Sequence, residues 1–231
     1  MMVGQGIYNV DIVMCIDGTA SMGKFIDQVK ANALSFHDQL TTAMEATGKF
    51  LQGLRLKVIV FRDYGCDAEP MTESAFFTLP AENEEFQNYV NGIQVSGGGD
   101  LPENSLEAIA HALKSDWVTE GTKKRHIVVM FTDAPALELG ERAESPNYPE
   151  DMPKNLAELG AWWQSTDQNF KSSYDRNSGR LVVYAPNAYP WTAEGVGLWN
   201  RTVLTEIKPD KGLEELDGFD EVIAMLVATI K

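Results

Sequence analysis

Asp17, Thr19 and Ser21 occupy alternate positions near the end of the stretch DIVMCIDGTASM, residues 11 to 22. One carboxylate and two hydroxyls are all hard oxygen donors, the set that Mg²⁺ or Mn²⁺ accepts. Two more acids stand in comparable settings. Asp100 follows three consecutive glycines, and Asp133 follows the run HIVVMFT. The chemistry expected of such a cluster is to hold a divalent cation and bind a partner with it, not to carry out a reaction. Plainer roles exist for the same residues. Thr19 and Ser21 suit the cap of a helix, and Asp133 suits a turn before Pro135.

The surrounding pattern shows what must position these groups. Residues 12–16 are continuously apolar, end in turn residues and lead into a helical pattern, which reads as a buried parallel strand. The polar cluster then lies on the loop at that strand's carboxyl end, where open α/β sheets bind ligands. Over 22–47, Phe25, Val29, Ala33, Phe36, Leu40 and Met44 recur three or four apart, which predicts one long helix. Residues 54–61 read as a second strand. A short strand over 74–79 follows too closely for a crossover, so it is expected to be antiparallel and at the edge. Helices are expected over 81–93 and 103–114, and a second buried strand over 126–131. A long connection, 135–179, carries a helix around 153–165. A strand at 181–185, a short helix at 193–202, a weak strand at 203–207 and a helix at 219–230 complete the order. Alternation of this kind predicts an α/β fold: a doubly wound, mostly parallel sheet with one antiparallel edge strand and helices on both faces. Without repeats or low-complexity linkers, residues 1–231 read as one domain with a longer helical connection at about 135–179.

Composition narrows the partners. Asp plus Glu outnumber Lys plus Arg 34 to 19, for a net charge of −15. Such a field repels phosphate backbones and anionic lipid, and no basic run localises an exception. Neither nucleic acid nor membrane is expected as a partner. The first eleven residues lack a secretory pattern, and no apolar stretch approaches the ~20 residues that span a bilayer. Two cysteines, Cys15 in a strand and Cys66 on a loop, fit a reduced, cytoplasmic protein.

Enzyme readings find little support. A haloacid-dehalogenase-type phosphatase needs a nucleophilic aspartate at position 15, which is Cys15. A serine hydrolase needs a Gly-x-Ser-x-Gly elbow and a later histidine, and the last histidine is His126. The glycines at 97–99 do not form a dinucleotide or P-loop fingerprint. His37, His111 and His126 are too scattered for zinc and read as ordinary core or surface residues. A metal-assisted hydrolase built on Asp17, Asp100 and Asp133 stays open as an alternative, with Asp63 and Glu103 as the local acid–base candidates.

Asp17-x-Thr19-x-Ser21, Gly97-Gly98-Gly99-Asp100 and Phe131-Thr132-Asp133, in this order and on these elements, resemble the metal-ion-dependent adhesion site (MIDAS) of von Willebrand factor type A (vWA) domains. The order of strands and helices resembles that family over nearly the whole chain. The resemblance implies that Thr19 and Ser21 ligate Mg²⁺ through their hydroxyls. It implies that Asp17 and Asp133 act through bound water and by orienting those hydroxyls. The family usually has Thr where Asp100 stands; a third carboxylate there would tighten cation binding and make the ion less attractive to an incoming carboxylate. In the family, a Glu or Asp of a partner protein completes the metal shell. The segments Phe61-Arg62-Asp63-Tyr64 and Gly97–Asp100 also resemble stand-alone intracellular bacterial members, thought to act as scaffolds.

The expected partner surface is thus the Asp17/Asp100/Asp133 face, rimmed by residues 135–179. Asp63 either edges this face or sits in a plain turn. Trp162 and Trp163 are adjacent on a helix and point roughly 100° apart, which suits one buried ring and one exposed anchor, with Trp163 placed on the partner surface. Burial of both rings in the long connection is the alternative. A purely structural subunit with a stabilising metal is the remaining non-enzymatic reading.

Overall fold

The computed structural model describes residues 6–97, 102–207 and 219–230. Strand β1, Gly6–Asp17, is the centre of one mixed sheet. Its last eight residues are all buried, because helices cover both faces and alternation gives way to a continuous apolar run. On one side it pairs in parallel with β2, Lys49–Phe61. On the other it pairs in parallel with β5, Lys124–Phe131, followed by β6, Gly179–Ala185, and β7, Thr202–Glu206. Two three-residue strands, β3 (Met71–Glu73) and β4 (Phe77–Leu79), pair antiparallel with β2. The expected edge strand is therefore two short pieces. The chain leaves β1 for β2 and later returns to the opposite side of β1 as β5. Strand order thus reverses between β1 and β5, and a crevice opens at their carboxyl ends.

Each face has its own apolar layer. One is covered by α1 (Gly23–Asn32), α2 (Phe36–Glu45), α3 (Asn83–Gly92) and α6 (Phe219–Thr229). The other is covered by α4 (Ser105–Leu113), α5 (Leu156–Trp163) and the rings of Trp117, Tyr174, Trp191 and Trp199.

Several expectations need correction. The single helix over 22–47 is a 3-10 turn, Ala20–Met22, followed by α1 and α2. At the break, Ser35 donates its hydroxyl to the Asn32 carbonyl and Gln39 donates to the Ser35 hydroxyl, so side chains compete with the helical ladder. The apolar stripe runs through the break, and Phe25, Val29, Ala33, Phe36, Leu40 and Met44 are all buried. The helix expected over 193–202 is only a 3-10 turn, Val196–Leu198. The helix expected around 153–165 begins later, where Asn155 caps α5 by accepting from the Glu158 amide. Trp163 is a core residue and not a surface anchor. It is 2% exposed, stacks on Trp199 at 5.9 Å and donates its indole N–H to the Asn200 carbonyl. Trp162 is buried as well, stacked on Phe170 at 4.1 Å.

Candidate metal centre

Asp17 is the last residue of β1 and is fully buried. Its Oδ1 accepts from the backbone N–H of Thr19 at 2.9 Å and from the Thr19 hydroxyl at 2.7 Å. Its Oδ2 accepts from the Thr132 hydroxyl, just past β5, at 2.9 Å. The carboxylate therefore ties the loops after β1 and β5 together across the reversal. Burial raises its pKa to about 6; the Thr19 and Thr132 hydrogen bonds pull it down, and the charge of Asp133 pushes it up.

The Thr19 hydroxyl is set by that carboxylate. Thr19 Oγ1 gives its proton to Asp17, so Ser21 Oγ, 3.1 Å away, donates to it and one Thr19 lone pair stays open. Two adjacent ligands of an octahedral Mg²⁺ at ~2.05 Å stand about 2.9 Å apart, so this pair has the spacing of one edge of such a shell. Among the described residues no three His, Cys, Asp or Glu side chains are grouped to hold a metal. A cation here depends on hydroxyls and water, for which the all-oxygen donor set is suited. Asp133 is half-buried and acts as a charge on Asp17 and on Glu103. Asp100 lies outside the described residues.

The backbone around the cluster is packed closely. A Cβ on Gly18 would stand 2.6 Å from Val60 Cγ1 and 2.9 Å from the Arg62 guanidinium carbon, so only glycine fits between Asp17 and Thr19. Arg62 is buried and donates to four carbonyls, those of Gly18, Glu69, Gln94 and Ser96. One guanidinium thus fixes three loops, and it lines a cleft of about 670 Å³ between α3 and the loop after β2.

Asp63 is buried and held by an ion pair. Arg142 grips both its oxygens at 2.8 Å, and Oδ1 also accepts from the Gly65 amide at 2.7 Å. Burial pushes its pKa up, but the hydrogen bonds from Arg142, Gly65 and Cys66 and the Arg142 charge together hold the carboxyl below the usual range. The pair staples the long connection after β5 to the loop after β2.

Sequence reasoning gave no place in the cluster to Thr132, whose only signal was a hydroxyl next to Asp133 at a strand end. It treated Glu103 only as an acid–base candidate. Glu103 is 1% exposed, and its Oε2 has no hydrogen-bond partner. Its backbone is clamped by bonds to the Pro135 carbonyl and the Leu137 amide. Burial, and then the charges of Asp17, Asp63, Asp67 and Asp133, raise its pKa to about 8. A buried carboxyl with an open oxygen, surrounded by carboxylates, is what a nearby cation would relieve.

Fold and cluster together define an α/β domain with a hydroxyl–carboxylate site at the point where strand order reverses. The sequence profile of the von Willebrand factor A domain matches residues 11–143, and the chain belongs to that family. Such domains generally serve as protein-interaction modules. Among curated proteins, an ariadne-like RING finger protein, R811, of Acanthamoeba polyphaga mimivirus is 26% identical over 126 residues, 54% of this chain and 11% of that protein. The alpha-protein kinase vwkA of Dictyostelium discoideum is 23% identical over 147 residues, 64% of this chain and 22% of that protein. The chain therefore matches less than a quarter of the length of either relative. Among solved structures, a von Willebrand factor type A protein from Catenulispora acidiphila superposes with a TM-score of 0.50 at 14% identity, over 94% of this chain and 42% of that one. The pilus adhesin SpaC from Lactobacillus rhamnosus GG gives 0.55 at 9% identity, over 98% and 31%. These likenesses concern the fold.

Proposed function

We propose that this domain is a divalent-cation-dependent protein-interaction module, a scaffold or adaptor. In this reading Thr19 and Ser21 hold Mg²⁺ (or Mn²⁺) through their hydroxyls, Asp17 and Asp133 orient them and the bound water, and Asp100 adds charge. The cation supplies a site for an acidic side chain of another protein. The observation that carries the reading is the Thr19–Ser21 hydroxyl pair, 3.1 Å apart, with Thr19 anchored to the buried Asp17 carboxylate. No enzymatic step is assigned to the site. Cys15, buried, and Cys66, exposed, are not joined in a disulfide, which supports placing the protein in the reducing cytoplasm. No helix among the described residues is long and apolar enough to cross a membrane.

Calorimetric titration of Mg²⁺ and Mn²⁺ after chelator treatment tests the metal. One saturable site in the wild type, lost in Asp17→Ala, is the expected result; no binding in the wild type would reduce the cluster to a helix cap. Mg²⁺-dependent capture of a partner by the wild type, but not by folded Thr19→Ala, tests the interaction.

A second reading, a metal-assisted hydrolase, is favoured by one observation: Glu103 is buried with a pKa near 8, suited to moving protons at neutral pH. Turnover of simple phosphate or carboxylic esters in Mg²⁺, abolished in Glu103→Gln, would replace the first reading.

A further inference from the structure

The net charge of −15 is unevenly distributed. Arg125 lies at the start of β5, Arg180 at the start of β6, and Arg201 immediately before β7. These strands are parallel neighbours, with Ile127 opposite Arg180 and Leu181 opposite Thr202. The three guanidiniums therefore gather at the amino ends of the strands, the end of the sheet away from Asp17. Lys123 extends the group, because its Nζ and the Arg125 guanidinium carbon lie 5.3 Å and 5.0 Å from the same Tyr8 ring.

We propose that this basic cluster is a second binding site, for a multiply charged anion of the phosphate class, built by Arg125, Arg180 and Arg201 with Lys123 at its rim. Neighbouring strands are about 4.8 Å apart, so arginines on three adjacent strands span about 10 Å, more than a single oxyanion contacts. The like charges of Arg180 and Arg201, on adjacent strands, repel unless something negative joins them. Among the described residues, neither Arg180 nor Arg201 is paired with a carboxylate. Their hydrogen bonds go to backbone carbonyls: Arg180 to Asn177, Gly179 and Thr229, and Arg201 to Arg176. These bonds use Nε and Nη1 of Arg180 and Nη1 of Arg201. The remaining guanidinium donors of both residues are open, in the fork geometry that phosphate accepts.

Two further observations agree. Burial, and then the charges of Arg125 and Arg201, lower the pKa of Arg180 to about 10, so the group is already crowded with positive charge. Arg201 holds a left-handed backbone, φ 61°, which a non-glycine residue rarely adopts. The bond to the Thr229 carbonyl shows that Arg180 also caps α6. One cation suffices for a cap, and Arg201 donates to the Arg176 carbonyl, not to that helix.

The test is calorimetry of the whole chain with inorganic pyrophosphate in metal-free buffer at constant ionic strength, which keeps it independent of the cation site. One saturable site is expected, weakened about tenfold in Arg201→Gln and in Arg180→Gln. Lys154→Gln, which removes an exposed charge at the carboxyl-end side, should bind as the wild type does. Inorganic phosphate should bind more weakly than pyrophosphate. Should Arg180→Gln fail to fold, the exposed Arg201 decides. Absence of saturable binding at millimolar pyrophosphate, or equal affinity in the wild type and Arg201→Gln, would overturn the proposal. Equal affinity for phosphate and pyrophosphate would overturn its requirement for multiple charge.

Discussion

At the carboxyl ends of β1 and β5 the clustered charges are buried carboxylates held by hydroxyls and amide N–H groups, whereas at the amino ends of β5, β6 and β7 they are half-buried or exposed guanidiniums held by carbonyls. Both ends keep like charges close together. Each satisfies part of their hydrogen-bonding capacity internally and leaves part of it open. At the acidic end the open group is Glu103 Oε2, and at the basic end it is the outer face of Arg180 and Arg201. A parallel sheet separates the two clusters by the length of its strands, so neither neutralises the other. Partial internal satisfaction with charge left over is a physical mark of a binding surface.

Four perturbations test this contrast. The largest effect is expected at the acidic end: Asp17→Ala should weaken Mg²⁺ binding by more than about a hundredfold and leave pyrophosphate binding at the far end unchanged. Calorimetry of both ligands on one variant checks both halves. Next, Arg142→Ala strands the buried Asp63 carboxylate and should cost about 3 kcal/mol in urea denaturation, because the partner left behind has no counter-charge.

Third comes pH. Asp17 and Glu103 have folded-state pKa values near 6 and 8, above their unfolded values, so between the two values the folded chain holds protons that the unfolded chain has released. In chelator, stability should therefore fall as pH rises from about 5 to 8, by on the order of 2 kcal/mol. Saturating Mg²⁺ should remove most of this slope, and Glu103→Gln should shrink it. A chelated protein equally stable across this range would show that these carboxyls carry no strain. The smallest effect belongs to the basic end. Arg180→Gln loses one charged helix cap and should cost about 1 kcal/mol, read as a small drop in Tm.

Much of this molecule can be read from local sequence. The apolar runs at 12–16 and 126–131, the stripe from Phe25 to Met44 and the Asp-x-Thr-x-Ser spacing are patterns between near neighbours, and they suffice to predict strands, helices and the loop that carries the site. Such patterns do not report what a side chain meets from a distant segment. Asp63 and Arg142 are 79 residues apart, and Trp163 meets Asn200 37 residues on, so one acid became a staple and one tryptophan a core residue. Thr132 joined the site because β5 lands beside β1, a crossing 115 residues long. The basic cluster is the clearest case. The chain has only a short basic run, Lys123-Lys124-Arg125, and parallel pairing adds Arg180 and Arg201 to it at one edge. The sequence alone determined most of the elements and the hydroxyl–carboxylate motif, because these are set by spacing along the chain, but not the break in the helix over 22–47 or the reduction of 193–202 to a 3-10 turn. Only the tertiary structure decided which charges met an opposite charge and which gathered beside like charges, because electrostatic energy depends on distance through space.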